Sequence, residues 1–574
     1  MRFFPNFSRA KLRMGRAWRR RDSVLLAALA LVLLFSCYGI RWGRVECWNP
    51  DEMASALLRP NFLPATYAKP PFYPYVNHIV VLWWVDIAEW VVRRVDRHAK
   101  LNEVRLIASR LLVVAMFFGT TTIAYFATRR PFGIFAARVV ALGFATSAGF
   151  IAFNNYLTVD SPMLFWMMLA FLFCQRILYR GELRDYIAAG IITGLATATK
   201  YNGLAIGIAI PAAHFLRGGE PFLRRVFSYR WVIGCACVVV GFVLGNPGVV
   251  LDWSRFSSDF MYNYVVTRQY GGQNAYETSY GQFLVRITDI IGVPAACVVA
   301  VAIFIGLILF VVRRKITSLG ARNFALAAAV FLLYYVQIGG FPRSETRFTL
   351  PAVPFLLLMA APCFAFLEKR GRTLASALLT PVLLYNLVCC FAVGRRFNQD
   401  PRMAAQLWVR QHIPGGSVME SSACSPHWQR LAGFDAVEIQ TNKPKAPKHR
   451  RRASTIDLRM AHVNGRNKLF SELFKDNKWV EGRVAIYEGD ADEGLFTPEA
   501  LARRNPSFIT VHSVDYQVPS EIVPKYYADL IDGKLGYHVT FDGTTPEAPR
   551  WIYPREIDFL AGRMTILVRN DLPL

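Results

Sequence analysis

Two carboxylates, Asp51 and Glu52, follow Cys47-Trp48-Asn49-Pro50, and Lys69 stands just before Pro70-Pro71. All three lie just beyond the first apolar stretch of the chain. Acids beside a bilayer are costly and mark a functional site by default. A carboxylate there can take a proton from a hydroxyl. A lysine held by two following prolines has an extended backbone and can face a phosphate as a point charge. Further along come Asp160 in Thr158-Val159-Asp160-Ser161-Pro162, Lys200 between Thr199 and Tyr201, Asp252, and Arg343 and Arg347 around Glu345. An arginine opening an apolar span can fork onto phosphate oxygens.

Each residue also has a plainer reading. Asp51 and Glu52 before Met53-Ala54-Ser55-Ala56 read equally as acids in the first turn of a helix. On a helix Glu52 points away from Asp51, so the two do not act on one atom. Lys69 can snorkel, Asp160 can cap the helix that Pro162 starts, Lys200 can anchor an interface, and Arg347 can pair with Glu345. Asp252 and the Tyr-rich stretch 260–280, with Tyr270, suit the wall of a sugar or acceptor site, as would any large polar loop. Spacing alone leaves these alternatives open.

The elements that must carry these residues are apolar spans. Of 574 residues 54% are hydrophobic and only 18% charged, with mean hydropathy +0.27, a membrane-like balance. Spans are expected at roughly 23–40, 106–127, 134–157, 162–179, 186–199, 203–216, 231–250, 290–312, 323–339, 348–367 and 373–393, most of them long enough to cross. The first follows a basic N-terminus without a small-x-small cleavage site and reads as an uncleaved helix. The net charge of +26 points to no nucleic acid, because basic residues gather in short loops between spans. These loops hold Arg129/Arg130/Arg138, Arg176/Arg180/Arg184, Arg217/Arg224/Arg225/Arg230, Arg313/Arg314/Lys315 and Lys369/Arg370/Arg372. They share the side of the N-terminus, which the positive-inside rule makes cytoplasmic.

The segment 72–92 is apolar enough to span but carries Asp86 and Glu89, with Trp83, Trp84 and Trp90 suited to an interface. If it crossed, the basic loops would face outward. It is therefore expected to lie on the outer surface. Asp51, Glu52, Lys69, Asp160, Lys200, Asp252, Arg343 and Arg347 then all meet the outer face, from five separate loops.

After residue 394 polar residues and Pro/Gly punctuation take over. Runs at 483–487 and 564–568 read as strands, and 401–412 and 519–532 as helices. The expectation is a membrane domain over 1–394, with a first outer loop at about 41–105, and a soluble extracytoplasmic α/β domain over 395–574. The basic stretch 443–452 is a solvated loop, with contact to anionic lipid or glycan as the alternative. Eight cysteines sit in apolar runs as small hydrophobes. Only Cys47 and Cys424 look external, and spacing alone does not pair them. Carboxylates such as Asp51, Glu52 and Asp160 can hold a divalent cation, but they are too few and too far apart in sequence to assign a metal.

The order of Asp51-Glu52, Lys69-Pro70-Pro71, Thr158-Val159-Asp160-Ser161-Pro162, Gly194…Lys200-Tyr201, Asn246-Pro247 and Arg347-Phe348-Thr349-Leu350-Pro351 resembles the C-type glycosyltransferases (GT-C). Within them it resembles the group of protein O-mannosyltransferases and lipid A aminoarabinose transferases. Asp400-Pro401-Arg402…Trp408…Ile413-Pro414-Gly415-Gly416-Ser417 is similar to bacterial members. The expected spans make an α-helical polytopic fold of about 11 transmembrane helices, which is similar to that of the GT-C proteins. The resemblance implies an enzyme that moves a sugar from a polyprenyl-phosphate donor to a protein, lipid or envelope-glycan hydroxyl. On that reading Asp51 is the base, Glu52 and Asp160 assist, and Lys69, Lys200 and Arg347 bind the donor phosphate. Asp252 and Tyr270 then contact sugar or acceptor. No Asn-x-Ser/Thr acceptor follows residue 394, which favours a bacterial inner membrane. A transporter, with paired intramembrane charges and repeated halves, and a non-catalytic lipid-glycan scaffold are the competing classes. The scaffold would keep the cations without needing Asp51.

Overall fold

The structure is a computed structural model. It describes residues 22–43, 52, 63–64, 67–96, 101–219, 221–269, 278–312, 318–342, 344–414, 417–422, 435–441, 484–489, 496–512, 522–545, 552 and 562–572. Asp51, Tyr270, Arg343, Cys47, Cys424 and the stretch 443–452 lie outside the described residues.

Among the described residues, eight helices are long and apolar enough to cross a membrane, or nine if one bent pair counts as a single span. The chain is an integral membrane protein. Two expected spans are shorter apolar helices, Ser23–Tyr38 and Tyr201–Leu216, and the expected 186–199 is the 17-residue helix Leu183–Thr199. The eight include Phe72–Val92, which the sequence laid on the surface. Its Trp83, Trp84 and Trp90 are exposed, as lipid-facing or interfacial rings would be.

The bundle has a clear inside. The window within Thr346–Arg370 is 83% buried, whereas that of Val293–Val312 is 17% buried. The first is packed inside the bundle and the second leaves most of its surface uncovered by the described residues. In lipid, helices associate through close packing, and small residues permit it. Ala352, Ala360 and Ala361 on Thr346–Arg370 are fully buried.

Breaks interrupt some of the expected spans. The run 134–157 divides into Ile134–Ala145 and Ala148–Asn154, bent by 53°. Thr146 Oγ1 and Ser147 Oγ donate to the carbonyls of Leu142 and Gly143, competing with the helix ladder where it ends. The second half carries the chain into Leu157-Thr158-Val159, and the next helix, Asp160–Tyr179, begins on Asp160 itself. The run 290–312 divides at Gly292, whose φ of +81° needs a residue without Cβ. An amphipathic helix, Tyr280–Ile291, precedes the break, and Val293–Val312 follows it.

Beyond Asn398, Asp400 caps the helix Pro401–His412 by accepting from the Arg402 amide. The strands are β1 (Val418–Ser422), β2 (Asp435–Thr441), β3 (Val484–Gly489), β4 (Phe508–His512), β5 (Tyr537–Thr544) and β6 (Arg563–Arg569). They form one sheet in the order β3-β2-β1-β4-β6-β5. Pairing is parallel from β3 to β4 and antiparallel at β6 and β5. Side chains alternate across the sheet. Phe508, Met564, Ile566 and Val568 pack with Ala405 and Val409 of helix 401–412. Ile509, Val511 and Leu567 face Val523, Tyr526 and Leu530 of helix Ile522–Ile531. With both faces covered, β6 reads as the continuous apolar run that the sequence showed.

Candidate functional site

The Lys69 arm is set by Tyr67. Its N–H donates to Asp259 Oδ2 (2.7 Å), its hydroxyl to Asp252 Oδ2 (3.4 Å), and its carbonyl accepts the Tyr201 hydroxyl (2.7 Å). The buried ring meets Phe256 edge-on at 5.8 Å. One residue thus ties three segments together two positions before Lys69. Pro70 and Pro71 then lead into helix Phe72–Val92.

Asp160 and Lys200 meet directly. Lys200 ends helix Leu183–Thr199 with extended backbone (φ −155°, ψ 133°). Its Nζ lies 2.5 Å from Asp160 Oδ1. It also stands 4.9 Å from the Phe348 ring centroid, and Arg347 Cζ lies 5.0 Å from the same ring. Two cations therefore share one aromatic surface. Arg347 Nε donates to Glu345 Oε2 at 2.6 Å, the pairing that the sequence left open.

These segments enclose a cavity of about 180 Å³. Lys69, Asp160, Lys200, Tyr201, Asn202, Asn263 and Arg347 line it, with Ile338, Phe341 and Phe348 as apolar wall. Three cationic side chains line the cavity against Asp160, with Glu345 paired to Arg347 beside it, and the remaining positive balance suits an anion with an apolar attachment. Asn202, Asn263 and Tyr201 add hydrogen-bonding groups that can orient hydroxyls.

Four of the residues singled out by sequence, Lys69, Asp160, Lys200 and Arg347, line this one space. Glu52 does not. It is fully buried in an ion pair with Arg110, and its Oε1 also accepts the Leu157 N–H at 2.7 Å. Asp252 sits behind the wall and holds Tyr67. Asp51 and Tyr270 lie outside the described residues.

Sequence reasoning missed Tyr67, Asn202, Asn263 and Arg110. Asn263 belongs to helix Trp253–Gln269, part of the stretch expected to wall the site. Arg110 gave a signal that went unread: an arginine inside the apolar run 106–127, where an ionisable residue needs a partner. Tyr67 gave none, since its partners lie more than a hundred residues away in sequence.

A family model described as dolichyl-phosphate-mannose-protein mannosyltransferase matches residues 88–246. The matched segment holds Asp160 and Lys200, and it agrees with the resemblance to C-type glycosyltransferases read from the motifs. No curated protein matches the chain. Among solved structures, ArnT from Cupriavidus metallidurans bound to undecaprenyl phosphate is similar at 13% identity and TM-score 0.47, over 94% of this chain and 97% of that one. The oligosaccharyltransferase AglB from Archaeoglobus fulgidus, in complex with an inhibitory peptide and a dolichol-phosphate, is similar at 13% identity and TM-score 0.42. That likeness covers 68% of this chain and 58% of the other.

Proposed function

We propose that this protein is a membrane glycosyltransferase that moves a sugar from a polyprenyl-phosphate donor to an acceptor hydroxyl on the extracytoplasmic face. The observation that carries it is the convergence of Lys69, Lys200 and Arg347 with Asp160 on one cavity. They come from four separate segments of the chain. The match to a family described by a lipid-phosphate sugar donor supports the same reading.

The chemistry follows from the charges. The donor phosphate sits against Lys69, Lys200 and Arg347, with its lipid tail leaving along the apolar wall. Asp51 takes the proton of the acceptor hydroxyl. The freed oxygen forms a bond to the anomeric carbon, and the bond from that carbon to the phosphate oxygen breaks. The electron pair stays on the departing polyprenyl phosphate, whose growing charge the three cations stabilise. Asp160, held by Lys200, contacts the sugar or acceptor. With segment 72–92 kept on the outer surface, the basic loops support a cytoplasmic side opposite this face. The face is then extracytoplasmic, the membrane a bacterial inner membrane, and 395–574 an extracytoplasmic domain over the site.

The test has two arms. Mass spectrometry of lipid copurifying with the protein should find a polyprenyl phosphate or its glycoside. Single-turnover transfer should be slow in Asp51→Asn while donor affinity holds. A lipid without phosphate, or an unchanged rate in folded Asp51→Asn, would sink the reading.

A further inference from the structure

Arg110 and Glu52 form a fully buried ion pair that the transfer chemistry does not use. Arg110 Nε and Nη2 donate to the two Glu52 oxygens at 2.8 and 2.9 Å, and Nη1 donates to the carbonyls of Ile40 (2.7 Å) and Trp42 (2.6 Å). Isolating such charges from water is costly, and the pair persists only when its hydrogen bonds are complete. Here every connection leads somewhere. Glu52 Oε1 also holds the Leu157 N–H, three residues before Asp160. The residue before Arg110, Ser109, accepts the Tyr73 hydroxyl at 3.3 Å, at the end of the Lys69 arm.

The other direction leads to the C-terminal sheet. Trp42 Nε1 donates to Asp400 Oδ2 at 2.8 Å, and Arg402 grips the same carboxylate with Nε at 2.9 Å and Nη2 at 2.7 Å. The Arg402 guanidinium lies 5.2 Å from the Trp42 ring. Tyr156 and Phe397 pack on that ring at 5.2 and 5.5 Å. Arg402 starts the helix whose Ala405 and Val409 lie on the sheet.

We propose that Arg110 is a positioning residue. Through Glu52 and Leu157 it fixes the segment that carries Asp160, and through Trp42–Asp400–Arg402 it couples that segment to the C-terminal sheet. The inference rests on the transfer reading above for its catalytic meaning. Its consequence is that damage at the sheet end lowers the chemical rate, not only acceptor affinity.

The experiment uses full-length protein in nanodiscs. Arg110→Lys keeps the charge but loses the planar fork, and Trp42→Phe keeps the ring but loses the N–H. Backbone hydrogen exchange over 155–160 and single-turnover rates are measured for each. Arg110→Lys should lower kcat about 100-fold, as a misplacement of about 1 Å would, with the donor KM within about threefold of wild type. Trp42→Phe should lower kcat about tenfold and speed exchange over 155–160. The double variant should fall short of the product of the two effects, since both act on one network. Unchanged kcat in folded Arg110→Lys, or unchanged exchange over 155–160 in Trp42→Phe, would overturn the proposal. If Arg110→Lys does not fold, Trp42→Phe decides. If wild type transfers from no lipid-phosphate sugar, the functional reading falls, while faster exchange in Trp42→Phe still supports the coupling.

Discussion

Lys200 and Asp160 form an ion pair at 2.5 Å within the cavity, so on the proposed reading a donor phosphate would compete with Asp160 for one ammonium. Asp160→Asn should therefore leave donor affinity equal or higher while kcat falls. Calorimetry of donor binding beside single-turnover rates checks both signs. Lys69→Met and Arg347→Met should each weaken donor binding about tenfold or more, the scale of one lost hydrogen bond to a charged group. A loss confined to kcat would remove them from the phosphate site. His512 carries a separate prediction, outside the membrane spans. Burial first, and then the nearby Arg402 cation, push its pKa down to about 3, while Asp400 pushes the other way. The unfolded chain takes up that proton near the ordinary histidine value of about 6.5. Between those values unfolding binds a proton, so stability is complete above about pH 6.5 and falls as pH drops towards 3. The slope approaches about 1.4 kcal/mol per pH unit. Denaturation midpoints of the C-terminal region over that window should flatten in His512→Asn. A slope unchanged by the substitution would show that other groups carry it.

At the scale of elements, the placement of Lys200 depends on how closely helices Leu183–Thr199 and Tyr229–Gly245 approach. A methyl at Gly194 would overlap the Val238 carbonyl and the Phe242 nitrogen. The backbones touch there because no side chain intervenes. Gly194→Val should push the helices apart and shift Lys200, which follows the last residue of the first helix. Donor affinity should drop at least about tenfold, on the scale of one lost charged contact. Gly207→Ala is the control, since its new methyl meets only Thr193 Cγ2 at 3.6 Å, and it should bind donor normally. Equal effects of the two substitutions would break the argument. The helices themselves were legible as apolar runs. Their breaks were not. The bend after Ala145 depends on Thr146 and Ser147 turning their hydroxyls back onto the ladder, a choice that local sequence permits but does not require. The same held for segment 72–92, where length and apolarity suffice for a span while its acids and tryptophans suit a surface.

Across the whole molecule, the basic loops and the cavity should lie on opposite sides of the membrane. Cysteines placed at Arg314 and Asn274 should react with an impermeant reagent from opposite sides, and labelling of both from one side would defeat the topology. A chain ending at Arg396 should still bind donor through Lys69, Lys200 and Arg347. Its transfer should fall, because Trp42 loses Asp400 as an acceptor. Loss of donor binding in that folded truncation would place part of the phosphate site in the C-terminal region. By itself the sequence determined the membrane character, the helical runs, the α/β pattern after residue 394, and the residue types able to bind a phosphate. Those features follow from local hydropathy, periodicity and charge, which a chain displays in order. Only the tertiary structure decided that Lys69, Asp160, Lys200 and Arg347 share one cavity while Glu52 turns away to Arg110 and Asp252 to Tyr67. A carboxylate near a bilayer must find a cation or a donor, and sequence shows the need without the partner. The partner is chosen by how the helices pack, because Glu52 and Arg110, or Trp42 and Asp400, meet only when distant segments close on one another.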